Sequence, residues 1–158
     1  MRRSDREITD RTEIIQILQD CDVIHLAICS PNGPPCIVPM SFGMEDTDQG
    51  LLLWFHSAKE GRKIRLLEQN PTISFEADTD RQLLFDDAKQ NCSTTYRSVI
   101  GTGTVRFVSE EEKLHGLQCL MAHYHMEEKP INTAMIPQTA VFCLKAETLT
   151  GKQRKKPE

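Results

Sequence analysis

The sequence lacks several features that would assign a protein to a class at once. Its six cysteines, Cys21, Cys29, Cys36, Cys92, Cys119 and Cys143, include no CxxC pair. An even cysteine count alone does not define a disulfide framework, so they are read as reduced thiols of a cytoplasmic protein, several buried as small apolar side chains. The start, MRRSDR, is charged and has no apolar stretch of the kind that opens a secretory signal. No apolar run reaches membrane-spanning length, so no membrane partner is expected. The net charge of −4 provides no global positive field, which excludes a general nucleic-acid binder. There is no GxGxxG after the first strand-like run, no Walker motif and no internal repeat.

At 158 residues the chain has the length of one domain with a real core. Residues 1–9 read as an N-terminal arm and 152–158 as a flexible, basic tail. Asp10 followed by Glu13 has capping-box character and opens an amphipathic helix carrying Ile14, Ile15, Leu18 and Cys21. Strand runs follow at Val23–Cys29, at Cys36–Met44 after the turn SPNGPP, and at Leu51–His56. Pro39 removes a backbone donor, which places its strand at an edge or a bulge, or open to a ligand. A helix runs from Glu60 to Asn70 and stops at Pro71. The remaining runs are strand Thr72–Ala77, an irregular polar excursion Asp78–Ser93, strand Tyr96–Val108, a helix opened by Ser109 and Glu112, and strand Thr139–Lys145. Glycines 101 and 103 mark a bend or a close approach of another backbone or a ligand. Six strands joined by hairpins, with interspersed helices, predict a mainly β, antiparallel barrel.

The most informative stretch is Leu51–Pro71, LLLWFHSAKEGRKIRLLEQNP. A buried strand crosses to a helix that starts with positive charge, and Ser57, Lys59, Arg62 and Lys63 lie around the crossing. A planar guanidinium, a point-charge ammonium and free helix-start amides together suit a phosphate. A charged crossing of this kind, taken alone, is more often a solvated helix face.

Five places give that stretch its weight: MRRSDREI, IVPMSFGM, WFHSAKEGRK with NP after its helix, YRSVIGTGTV and LTGK. In order and spacing they resemble the pyridoxamine 5'-phosphate oxidase-like split barrels that bind FMN. Within these the sequence is most similar to the Nim-type (5-nitroimidazole reductase-related) branch, associated with nitroimidazole resistance. The resemblance implies a six-stranded, Greek-key split β-barrel with accessory helices, and a homodimer with FMN (or FAD) at its interface. Ser57, Arg62 and Lys63 would hold the flavin phosphate. Val38, Pro39, Met40 and Ser41 would line the isoalloxazine ring, near His56 and Ala58. Tyr96, Ser98 and Val99 would come from the partner subunit. The implied chemistry is hydride transfer from reduced FMN to a small nitro or quinone-like acceptor, with NADH or NADPH as the electron source. The family pattern implies no invariant catalytic acid or base; His56 is a pocket wall that can also titrate near neutral pH. A flavin or haem carrier or sensor on the same barrel is the alternative. Pyridoxine phosphate oxidase ranks lowest, because LTGKQRKKPE does not reproduce the basic residues that grip that substrate.

His115, Cys119 and His123 are spaced at four and share one helix face. They are read as the polar side of the helix and no metal is assigned, since spacing supplies no fourth ligand. On the third strand, alternation puts Trp54 and His56 on one side and Phe55 on the other.

Overall fold

The computed structural model describes residues 3–156. In chain order the elements are β1 (Glu7–Ile8), α1 (Arg11–Gln19), β2 (Ile24–Ile28), β3 (Cys36–Met40), β4 (Gly43–Thr47), β5 (Gly50–Ala58), α2 (Arg62–Gln69), β6 (Thr72–Asp86), β7 (Asn91–Phe107), α3 (Glu110–His123) and β8 (Thr139–Arg154), with 3-10 turns at Ser4–Arg6 and Thr133–Gln138. All pairings are antiparallel, in the order β3-β2-β6-β7-β8-β5-β4, with β1 on β8. This is the expected antiparallel split barrel, with eight strands in place of six.

The local signals explain the element starts. The Asp10 carboxylate accepts from the Thr12 N–H at 2.9 Å and caps α1. At α3 the Glu112 carboxylate reaches back to the Ser109 N–H at 3.2 Å. Inward positions of the strands, together with Ile17 and Leu18 of α1, form the barrel core around Leu26, Phe42, Leu53, Phe55, Phe75 and Phe142. Each such side chain contributes roughly 1.5–3 kcal/mol by leaving water. A second cluster of Trp54, Leu120, Val141 and Cys143 lies where α3 covers the sheet from outside. Trp54 and Phe55 therefore face opposite ways, as alternation requires. At Gly101 a Cβ would stand 2.3 Å from Phe75 Cζ and 2.5 Å from the Thr148 carbonyl oxygen, so the close approach expected of this strand is a packed neighbour.

Three expectations need correction. The run Cys36–Met44 is two strands, β3 and β4, which lie at opposite ends of the sheet order. The chain breaks at Ser41–Phe42 because Phe42 is fully buried and its N–H donates to the Tyr124 hydroxyl at 3.2 Å, outside any ladder. Pro39 does sit on an edge strand, as its missing donor demands. Residues 78–93 are not an irregular excursion. They form the outer arms of the β6–β7 hairpin, paired from Asp78↔Ser98 to Asp86↔Asn91, with a register shift between Thr79 and Gln82. Leu83 and Phe85 are 74% and 63% exposed there, and a ribbon with neither face covered leaves no burial period in its sequence. Finally, Lys152, Gln153 and Arg154 belong to β8, paired with Ser98, Arg97 and Tyr96, so the tail is ordered to that point. Met1, Arg2, Pro157 and Glu158 fall outside the described residues.

Candidate functional site

The site is built where β5 hands the chain to α2. Gly61, at φ +136°, is the residue before α2 and has no side chain to cap it. The first-turn amides of this helix therefore lack a side-chain acceptor, and no acidic residue stands in the first turn. Arg62 and Lys63 occupy that turn. Among the described residues neither belongs to an ion pair, whereas Arg3, Arg11, Arg97 and Arg106 each meet a carboxylate. The Lys63 ammonium instead lies 3.0 Å from the Met40 sulfur on β3. A thioether is a weak acceptor and leaves most of the cost of burying an ammonium uncompensated. Burial accordingly lowers the Lys63 pKa. Two adjacent cations, uncapped amides and no internal counter-charge make an arrangement that an incoming dianion completes.

The end of β5 contributes His56, Ser57 and Ala58. The Ser57 hydroxyl donates to the Ala58 carbonyl at 2.7 Å, so it must rotate to serve a ligand. Burial, and secondarily the Lys63 charge, pushes the His56 pKa below its usual value. His56 keeps an exposed edge and shares the Trp54 side of β5. On β3, Val38 and Met40 turn inward, while Pro39 and the following Ser41 are exposed. The Met40–Lys63 contact thus joins the expected ring-lining strand to the expected phosphate helix.

Tyr96, Ser98 and Val99 are not gathered with them. β7 is separated from β3 by β2 and β6. Tyr96 and Ser98 line a cavity of about 320 Å³ together with Glu76, Asp78 and Arg154. Val99 is fully buried in its own barrel core, so its side chain is not available to a ligand on the outer face.

Two arrangements involve partners distant in sequence for which the sequence held no signal. The Tyr124 hydroxyl receives the Phe42 N–H and donates to the Asp22 carbonyl at 2.6 Å, tying the β3–β4 break to the α1–β2 loop. His115, Cys119 and His123 share a helix face but not a site. His123 Nε2 lies 2.9 Å from the Cys21 carbonyl oxygen and its ring is 4.2 Å from that of Phe42. His115 and Cys119 converge instead with Glu45 of β4. All six cysteines are free thiols. Burial pushes Cys21 up to about 12 and Cys119 and Cys143 up to about 11, so these three are poor nucleophiles as they stand.

Residues 10–153 match the family model described as pyridoxamine 5'-phosphate oxidase. Comparison with curated proteins by sequence finds no match. Among solved structures, a candidate 5-nitroimidazole antibiotic resistance protein from Bacteroides thetaiotaomicron superposes with a TM-score of 0.81 at 28% identity, covering 93% of this chain and 86% of that one. A flavocytochrome from Azotobacter vinelandii gives 0.83 at 22% identity over 99% of this chain and 73% of the other. An FAD- and haem-binding protein from Mycobacterium smegmatis gives 0.81 at 16% identity over 97% and 76%. At these lower identities the likeness is one of fold. No helix among the described residues is long and apolar enough to cross a membrane.

Proposed function

The chain belongs to the pyridoxamine 5'-phosphate oxidase-like family, and on that premise we propose that it is a flavin-binding oxidoreductase of the 5-nitroimidazole reductase-related kind. The observation that carries this reading is the pair Arg62–Lys63 at the uncapped start of α2, free of carboxylates among the described residues and in contact with β3 through Met40. A flavin phosphate brings about two negative charges and acceptor oxygens for that cradle. Arg62 supplies the planar fork, Lys63 the half-buried point charge, and Ser57 a hydroxyl after rotation. Edge strand β3 offers Val38–Met40 on its unpaired side as the wall for the ring, continued by Ser41, and His56 and Ala58 at the end of β5 are proposed to complete it. When bound, the flavin supplies hydride chemistry, the nicotinamide NADH or NADPH being the proposed donor and a nitro compound or quinone the acceptor.

The protein's own part is binding, orientation and electrostatic tuning. The positive charge of Lys63 and the start of α2 favour negative charge nearby. His56, depressed below its usual pKa, stands neutral at neutral pH and serves as a wall with one donor and one acceptor nitrogen to offer. The site is proposed to close with Tyr96 and Ser98 of a second copy in a homodimer, Val99 contributing backbone only. Ile37 and Ile100, 68% and 56% exposed on the outer face of the sheet, are the apolar surface that such a dimer would cover. FMN fits the single phosphate cradle, and extraction of the cofactor distinguishes it from FAD.

The test is flavin retention in the double variant Arg62→Ala, Lys63→Ala. The folded variant should purify colourless while wild type carries flavin and is bleached by NADH or NADPH. Wild-type flavin content in the variant would sink the phosphate assignment.

A further inference from the structure

On the outside of the barrel, away from the β3–α2 contact, three electron-rich atoms converge under α3. His115 Nε2 lies 3.1 Å from Glu45 Oε2 and 3.6 Å from Cys119 Sγ, and all three donor atoms fall within 4.8 Å of one another. The fold places them deliberately close. His115 and Cys119 stand one helical turn apart on α3. At Gly43 a Cβ would lie 2.4 Å from the Cys119 carbonyl carbon and the Leu120 nitrogen, so only glycine lets α3 descend onto β4 and bring Glu45 to its partners.

Hydrogen bonding alone serves this triad poorly. One nitrogen, His115 Nε2, faces both the carboxylate and the sulfur. Protonated, it can donate well to only one of them; unprotonated, its lone pair points at the carboxylate's own lone pairs. A cation at the centre satisfies all three at once. With zinc–nitrogen and zinc–oxygen bonds of about 2.0–2.1 Å and a zinc–sulfur bond of about 2.3 Å, a tetrahedral centre sets N···S at about 3.6 Å and N···O at about 3.3 Å. The observed N···S of 3.6 Å has that spacing and the N···O of 3.1 Å is slightly shorter, while the carboxylate oxygen and the sulfur lie within 4.8 Å of one another.

We propose that Glu45, His115 and Cys119 form a binding site for a zinc-class divalent metal ion. His115 and Cys119 also line a cavity of about 550 Å³, with Leu114, Gln118, Lys129 and Ile131 around it. Three protein ligands beside an open cavity leave the fourth position to water or a small ligand, the pattern of an open rather than a closed zinc site. As the metal–sulfur bond forms, the Cys119 thiol proton passes to solvent, so the ion is held by a thiolate, a carboxylate and a neutral imidazole. The notion that His123 belongs to this set is excluded, because its Nε2 lies on the Cys21 carbonyl oxygen.

The test uses the untagged, flavin-loaded protein after removal of adventitious metal, titrated with Co²⁺ and then Zn²⁺. The only tryptophan, Trp54, has its ring 5.2 Å from the His115 ring and serves as a local reporter. The expected result is one equivalent of Co²⁺ bound, with quenched Trp54 emission and a near-ultraviolet thiolate-to-cobalt band in the difference spectrum. Zn²⁺ should displace both signals. Cys119→Ser should lose the charge-transfer band, and Glu45→Gln and His115→Gln should each weaken binding by more than the roughly tenfold lost with an outer-shell partner. Absence of saturable micromolar binding in wild type overturns the proposal. So does binding that all three variants leave unchanged. Flavin content, set by residues elsewhere, reports independently on the function proposed above.

Discussion

The Lys63 ammonium rests 3.0 Å from the Met40 sulfur, an acceptor that cannot repay an ammonium for lost water. This contact brings the start of α2 against edge strand β3 and leaves a positive charge waiting for a partner. Lys63→Met should therefore act in two directions. Without ligand the variant should be as stable as wild type or slightly more so, by no more than about 1 kcal/mol since the group is only half buried. Flavin affinity should fall roughly 10–100-fold, the worth of one charge-assisted hydrogen bond of about 1.5–3 kcal/mol. Paired urea unfolding and flavin titration separate the two effects. A variant that binds flavin as tightly as wild type would show that Lys63 does not touch the phosphate.

His56 senses the same charge. Burial and Lys63 both disfavour its protonated form, so its folded pKa lies below the unfolded value. The unfolded chain then binds more protons between the two values, and stability from this group, fully present above the unfolded pKa, is lost as pH falls through that window. The His56 imidazole resonance in proton NMR should titrate below pH 6.5 in the free protein, 6.5 being the unperturbed value. Lys63→Met should move the midpoint upward by removing the Coulombic part. Bound phosphate should move it the same way. A midpoint indifferent to Lys63 would mean that burial alone sets it.

Much of this was legible along the chain where cause and effect are neighbours in sequence. Asp10 and Ser109 mark helix starts because capping acts within one turn. Pro39 marks an edge strand because it lacks its own N–H. Arg62 and Lys63 are adjacent residues at a helix start, so their placement together in the first turn of α2 followed from the sequence. What escaped depends on folding distant segments together. The β3–β4 break depends on Phe42 meeting Tyr124, 82 positions away, and Glu45 meets His115 across 70. The β6–β7 arms escaped for the opposite reason: they are held by backbone ladders on a ribbon whose side chains are largely exposed, and burial is what writes periodicity into sequence.

The Tyr124 hydroxyl holds the barrel's break by receiving the Phe42 N–H and donating to the Asp22 carbonyl. Tyr124→Phe removes one acceptor and one donor together and keeps the ring. Water reaches the exposed Asp22 bond more readily than the part-buried bond from Phe42, so the cost should sit near the lower end of about 1–3 kcal/mol for an orphaned polar group. In urea the midpoint should fall with an unchanged slope. A midpoint equal to that of wild type would mean that solvent replaces both bonds.

The proposed partner surface makes the last prediction. Ile100 is 56% exposed in β7, one residue beyond fully buried Val99 and two beyond Ser98, with Glu76 opposite it on β6. Because its side chain leaves the barrel, Ile100→Glu costs the isolated fold little. In a dimer packed through this face it would put a charge into an apolar contact, beside a carboxylate whose pKa burial already raises. The variant should therefore run as a monomer in sizing chromatography with light scattering, where wild type runs as a dimer, and its flavin content should drop with dimerisation because Tyr96 and Ser98 no longer reach the partner's site. Thermal unfolding of the monomer should still be cooperative. A wild-type monomer fully loaded with flavin would refute the shared site, while a dimer unaffected by Ile100→Glu would move the interface to another face.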